Sequence, residues 1–164
     1  MSAKRLSHLD ARGRARMVDV GDKPVTARTA RARGRVRMSL DALRAVRRGA
    51  LPKGDVLAVA RLAGIQAAKQ TAGLVPLCHV LPLDFVDVAL RVDVRRRAIE
   101  IESKVACRAR TGVEMEAVVA VAIAGITVYD MCKSVDRAMR IEGIELVEKT
   151  GGRSGVYRTR RRRA

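Results

Sequence analysis

An α+β sandwich, with helices laid on one face of an antiparallel sheet, is what this 164-residue chain predicts. Three observations carry the prediction. Residues 25–38 alternate strictly, as a half-buried strand does. Two further alternating runs, 86–94 and 99–107, flank the turn Arg95-Arg96-Arg97 and read as an antiparallel hairpin. A long stretch over 113–139, rich in Ala, Val and Ile, reads as helical. The length fits one domain, since domains usually run to roughly 100–200 residues. The chain divides into a flexible start over 1–15, one α+β domain over 16–155 and a basic tail over 156–164 expected to be disordered.

In the first strand Arg31, Arg33, Arg35 and Arg37 fall on one face and Ala30, Ala32, Gly34, Val36 and Met38 on the other. Ser39 is a good N-cap for a short helix over 40–48 that stops at Gly49. Pro52-Lys53-Gly54 makes a turn, and Asp55 can cap the next helix. In that helix Leu57, Ala60, Arg61, Gly64, Ala67 and Ala68 give a small-residue face suited to close packing. Gly73 is expected to end it. A loop over 74–82 follows, then the hairpin, the long helix and a last strand over 144–148 ahead of Gly151-Gly152.

Hydrophobic residues make up 48% of the chain, so a core can be buried, yet there is one Phe, two Tyr and no Trp. Packing must rest on aliphatic side chains and close backbone approach. No uncharged apolar run reaches the ~18 residues of a membrane span, and residues 1–16 lack the apolar centre of a secretory signal. Cys78, Cys107 and Cys132 are odd in number and without zinc-like spacing, which predicts reduced thiols, a cytoplasmic location and no metal site. The net charge is +17, and still +12 without the five arginines of the tail. Such a field favours anionic partners: nucleic acid, phosphorylated metabolites or acidic surfaces.

Three clusters interrupt otherwise apolar or tight segments. In Pro76-Leu77-Cys78-His79 the histidine is either a donor to a substrate or a structural loop residue; neighbours in an extended loop point apart, which disfavours a thiol–imidazole pair. In Thr111-Gly112-Val113-Glu114-Met115-Glu116 the two acids either suit the start of a helix dipole or accept from the N–H edge of a purine or pterin ring. In Tyr129-Asp130-Met131-Cys132-Lys133 the acid and the amine share one helix face, as a structural ion pair or as a proton-transfer pair with mutually tuned pKa values. On one continuous helix Glu116 and Asp130 stand roughly 21 Å apart at about 1.5 Å per residue. One small reacting centre cannot touch both from a single helix, so they serve either different ends of a long ligand or sites completed by a neighbouring subunit, which favours an oligomer. Lys23, Arg28, Lys53, Lys69, Lys149 and Arg153 lie in or beside turns and element ends, where they can meet phosphate oxygens.

The ordered set of motifs gives a resemblance. Asp22-Lys23-Pro24-Val25-Thr26-Ala27-Arg28, Lys53-Gly54-Asp55-Val56, Pro76-Leu77-Cys78-His79, Thr111-Gly112-Val113-Glu114-Met115-Glu116, Tyr129-Asp130-Met131-Cys132-Lys133 and Glu148-Lys149-Thr150-Gly151-Gly152 are similar to those of the cyclic pyranopterin monophosphate synthase family, also called molybdenum cofactor biosynthesis protein C. The resemblance covers about residues 6–155. It implies a ferredoxin-like α+β fold and a homohexamer, a trimer of dimers, with active sites at subunit interfaces. It also implies a phosphorus–oxygen lyase that converts a 3′,8-cyclised dihydro-GTP to cyclic pyranopterin monophosphate and pyrophosphate. Asp130 and Lys133 would be the acid/base residues, with Lys53 assisting. Leu77, Cys78 and His79 would line the substrate; Glu114, Met115 and Glu116 would hold the base; Arg28, Lys23 and Lys149 would bind the triphosphate. No cofactor is implied beyond Mg²⁺ that can accompany the triphosphate, and no membrane or specific nucleic-acid partner. Two positions depart from the family pattern: Val80 stands after His79 where proline is usual, and Arg153 where lysine is usual. The rival readings are a basic nucleic-acid-binding module, which has only three aromatics for stacking, and a cyclase or phosphohydrolase acting on plain GTP.

Overall fold

The computed structural model describes residues 12–159. Residues 1–11 of the expected flexible start and 160–164 of the expected tail lie outside the described residues. The elements run β1 (Thr26–Arg37), α1 (Leu40–Arg48), α2 (Val56–Lys69), α3 (Thr71–Leu74), β2 (Phe85–Asp93), β3 (Ala98–Ala109), α4 (Glu114–Cys132), β4 (Arg140–Thr150) and β5 (Tyr157–Arg158). All strands pair antiparallel in one sheet of order β2-β3-β1-β4-β5. Without α1, α3 and β5 this is the β-α-β-β-α-β succession of a ferredoxin-like α+β fold, as expected.

The alternation in β1 sorts its residues as predicted: Ala30, Ala32 and Val36 are buried under the helices, and the arginines face outward. α4 lies across β1, β3 and β4, and α2 packs against α4 and β2. Small residues permit this approach. A Cβ on Gly64 would stand 2.8 Å from the Ala120 carbonyl, and one on Gly34 2.8 Å from Val121. The core is aliphatic, built on Val36, Leu43, Ile99, Ile101, Val105, Val121 and Val128, while Phe85 and Tyr157 are exposed. α4 is apolar and long enough to cross a membrane by composition, but that apolarity is used here between α2 and the sheet.

Local signals were sound where caps are concerned. The Ser39 side chain accepts from Ala42 N, Gly49 ends α1 with φ 62, and Asp55 accepts from Leu57 N and Ala58 N. Four expectations need correction. α2 breaks at Gln70, not Gly73, because Thr71 Oγ1 donates to the Ala67 and Ala68 carbonyls and starts a separate turn; Gly73 lies inside α3. The long helix stops at Cys132 instead of Met139. The amides of Val135 and Asp136 both donate to the Cys132 carbonyl, and the Asp136 carboxylate accepts from Ala138 N and Ser39 N, which turns the chain away. β4 starts at Arg140 rather than 144, since Arg140, Ile141 and Glu142 pair with Arg37, Val36 and Arg35 before a bulge at Gly143, φ 65. Finally, Tyr157–Arg158 forms a strand within the segment expected to be disordered, held by pairing to Lys149 and Glu148.

Candidate active site

The α4 helix carries a polar cluster at each end. At its C-terminal end Asp130 accepts from two ammonium groups. Lys133 Nζ is 2.8 Å from Oδ1, and Lys53 Nζ is 2.5 Å from Oδ2 and 3.2 Å from the Asp130 carbonyl. Lys133 is the C-cap of α4. Lys53 arrives from the turn between α1 and α2, where Gly54 takes φ 86. The three side chains are about half exposed (49–54%), and ion pairs in such surroundings contribute little to stability. Their geometry presents charge to solvent, and the cations sit where the helix dipole favours them. The Lys133 ammonium first, and the Lys53 ammonium second, hold the Asp130 carboxyl down at about 2. The acid and the amine are paired on one helix face as the sequence suggests, with Lys53 as a second partner, and the hydrogen bonds to Asp130 outweigh burial.

The other end gathers Arg28, Cys78, Glu114 and Glu116. Glu116 is buried, and burial raises its pKa, with Glu114 adding to the rise against a hydrogen bond from its own amide. Met115 between them is 40% exposed. Glu116 also helps raise the Cys78 thiol, after burial, so Cys78 is a protonated wall and not a thiolate nucleophile. Leu77, Cys78 and His79 are half-buried in the loop before β2. His79 Nε2–H donates to the Val18 carbonyl at 2.9 Å, since a carbonyl can only accept.

Arg28 shares its strand face with Ala30, and Lys149 stands opposite Ala30, so both cations lie on the helix side of the sheet. Arg28 donates through Nε to Ala109 O (3.3 Å) and through Nη2 to Arg110 O (3.2 Å). The glycine pair makes room for it: a Cβ on Gly152 would collide with Arg28 Nη1, and one on Gly151 with the Ala27 carbonyl. Both have positive φ, 91 at Gly151 and 71 at Gly152. Lys149 Nζ donates to Ser154 Oγ. Lys23 stands exposed in the turn before β1 and, among the described residues, makes no side-chain hydrogen bond or ion pair. In the fold the two glycines thus seat an arginine. Asp136, whose carboxylate accepts from Ser39 N just after the first cluster, gave no motif.

Among the described residues no group of three or more His, Cys, Asp or Glu is placed to hold a metal ion. A surface groove lies at neither cluster but on the outer face of the sheet.

Comparison with known proteins agrees with the motif order. The MoaC family model matches residues 17–152. A protein of Chloroflexus aggregans named cyclic pyranopterin monophosphate synthase is 60% identical over 156 residues, covering 95% of this chain and 94% of its own. Proteins of the same name from Thermomicrobium roseum and Parvibaculum lavamentivorans are 60% and 52% identical, covering 93% and 98% of this chain and 92% and 100% of theirs.

Proposed function

The chain belongs to the MoaC family, and on that premise we propose how its two clusters synthesise cyclic pyranopterin monophosphate. The substrate is a nucleotide-derived small molecule, a 3′,8-cyclised dihydro-GTP, and the enzyme is a lyase that releases pyrophosphate. The observation that carries the residue assignment is the joining of Lys53, Asp130 and Lys133, two of them 77 residues apart in sequence, around one carboxylate.

Ring opening and reclosure require protons to be moved at several ring positions, and displacing pyrophosphate requires charge to be neutralised on phosphate oxygens. A carboxylate held near pKa 2 has no proton to give at neutral pH. Proton donation therefore falls to the Lys133 and Lys53 ammoniums, with Asp130 aligning them and accepting in return. At the far end Glu116 and Glu114 accept from the N–H edge of the base, and its neighbours Met115, Leu77, Cys78 and His79 line the ring. Arg28, Lys149 and Lys23 bind the triphosphate. Any Mg²⁺ arrives on the triphosphate, and the proton chemistry uses side chains alone.

Glu116 and Asp130 lie on one continuous helix, roughly 21 Å apart at about 1.5 Å per residue. In this reading the acid/base trio of one copy works on a base held by another, an arrangement the spacing fits, and it is the family resemblance, not the spacing, that implies a hexamer built as a trimer of dimers. The free thiols Cys78, Cys107 and Cys132 suit a reducing cytoplasm.

The test is to incubate the purified protein with the cyclised GTP intermediate and follow pyranopterin and pyrophosphate together, beside Lys133→Ala. Coupled release by the parent and a loss of at least about a hundredfold in the variant is expected. A folded parent that binds the ligand but releases neither product would overturn the reading, as would equal turnover of uncyclised GTP.

A further inference from the structure

The outer face of the sheet carries a ladder of opposite charges that stops one rung short. Arg31 meets Glu102 and Glu148, Arg33 meets Glu145 at 2.6 Å, and Arg35 meets Glu142 at 2.8 Å. The strand register explains the pairing. Arg33 stands between Glu102 and Glu145, and Arg35 between Glu100 and Glu142. Arg37 stands instead between Ala98 and Arg140. Its nearest carboxylate, Glu142, is 4.0 Å away and already holds Arg35. Like charges directly opposite on neighbouring strands repel, so this end of the sheet is left with a repulsion its own residues do not relieve.

The β2–β3 turn adds Arg95, Arg96 and Arg97 at the same place. Arg96 is paired with Glu100 at 3.5 Å. Among the described residues neither Arg95, Arg97 nor Arg140 has a carboxylate within ion-pair distance. Arg97 holds φ 51, a left-handed backbone that side-chain-bearing residues rarely adopt. The result is a groove of about 850 Å³ lined by six arginines against Glu100 and Glu145.

The lining selects among anions. Guanidinium forks match phosphate oxygens in bidentate pairs. No aromatic side chain lines the groove, so it offers bases no aromatic stacking platform. Apart from glycine every lining residue is charged, so the groove lacks the apolar centre that a protein partner's interface needs. We infer that this groove binds the phosphodiester backbone of nucleic acid without reading its bases, on the face of the sheet opposite the helices. The site is separate from both clusters of α4 and does not depend on the reaction assigned to them.

Fluorescence anisotropy of labelled single-stranded RNA with the full chain, over a series of salt concentrations, tests this beside the double variant Arg95→Ser, Arg97→Gly. Glycine suits the positive φ of position 97, and an unchanged melting temperature and unchanged turnover of the cyclised substrate establish that the variant is folded. The parent should bind oligonucleotides of different base composition equally. The variant should bind about tenfold more weakly, and its slope of log affinity against log salt should fall by about 1.4, for two lost contacts at ~0.7 each. Equal binding by the variant places the contact elsewhere, as on the arginines after Tyr157, and overturns the inference. So do a base preference, an absence of binding by the parent at low salt, or displacement of the RNA by polyglutamate as readily as by polyphosphate.

Discussion

Asp130 and Glu116 are both carboxyls of α4, and their surroundings push them in opposite directions. Hydrogen bonds from Lys133 and then Lys53 take Asp130 from the ordinary 3.8 to about 2. A depressed folded pKa stabilises the fold above the unfolded value, and that contribution drains away as pH falls through the folded one. Unfolding titrations of Asp130→Asn and the parent should therefore differ above about pH 4 and converge towards pH 2. A difference that persists unchanged below pH 2 would exclude the lysine clamp as its cause. Glu116 is the reverse case, raised above 4.5 first by burial. Its stabilising contribution is present below the unfolded value and lost as pH rises through the folded one, because the buried carboxylate must then ionise. Glu116→Gln should melt higher than the parent at neutral pH and equally in acid, while KM for the cyclised substrate rises about tenfold for a lost charged hydrogen bond. A variant that melts lower at neutral pH sinks this assignment. The sequence marked both residues as polar interruptions in apolar helix. It could not mark their charge states, since Lys53 reaches Asp130 across 77 residues and no local pattern records that contact.

Close approach of backbones, in place of aromatic packing, holds the elements together. Gly64 on α2 faces the Ala120 carbonyl at 2.8 Å and Val88 at 3.2 Å for a would-be Cβ. Gly64→Val should cost about 2–3 kcal/mol in denaturant unfolding by overpacking this seam; a change within experimental error would mean that α2 and α4 can part without penalty. At the sheet end Gly152→Ala should displace the Arg28 guanidinium and raise KM with little change in kcat, and a fall in kcat alone would separate Arg28 from phosphate binding. These glycines were legible in the sequence, as were the Ser39 and Asp55 caps and the alternation of β1, because each is a local signal. The breaks were not. The mixed stretch over 133–141 has no period of its own, and α4 ends where the Val135 and Asp136 amides close on the Cys132 carbonyl and the Asp136 carboxylate accepts from Ser39 N at 2.7 Å. Likewise β5 exists because β4 offers it an edge, not because Tyr157-Arg158 has a strand pattern of its own.

For the whole molecule the decisive length is that of α4, which runs unbroken from Glu114 to Cys132. It keeps Glu114 and Glu116 and the Lys53–Asp130–Lys133 trio at opposite ends of one copy, so under the proposed assignment a complete site takes two copies placed to bring unlike poles together. Two inactive variants can then repair one another. In Lys133→Ala the proton-transfer pole is lost and the base pole intact; in Glu114→Gln, Glu116→Gln the reverse holds. Each alone should turn over little at limiting substrate. When the two are unfolded together and reassembled as a mixture, half of the subunits supply a sound pole of each kind. Random pairing then makes roughly a quarter of the interface sites complete, and activity should return to about that share of the parent's. Mixing without reassembly is the control for subunit exchange. If the reassembled mixture stays as inactive as its components while its oligomeric state matches the parent's, both poles serve one copy, and the substrate must be extended along α4 or α4 must bend.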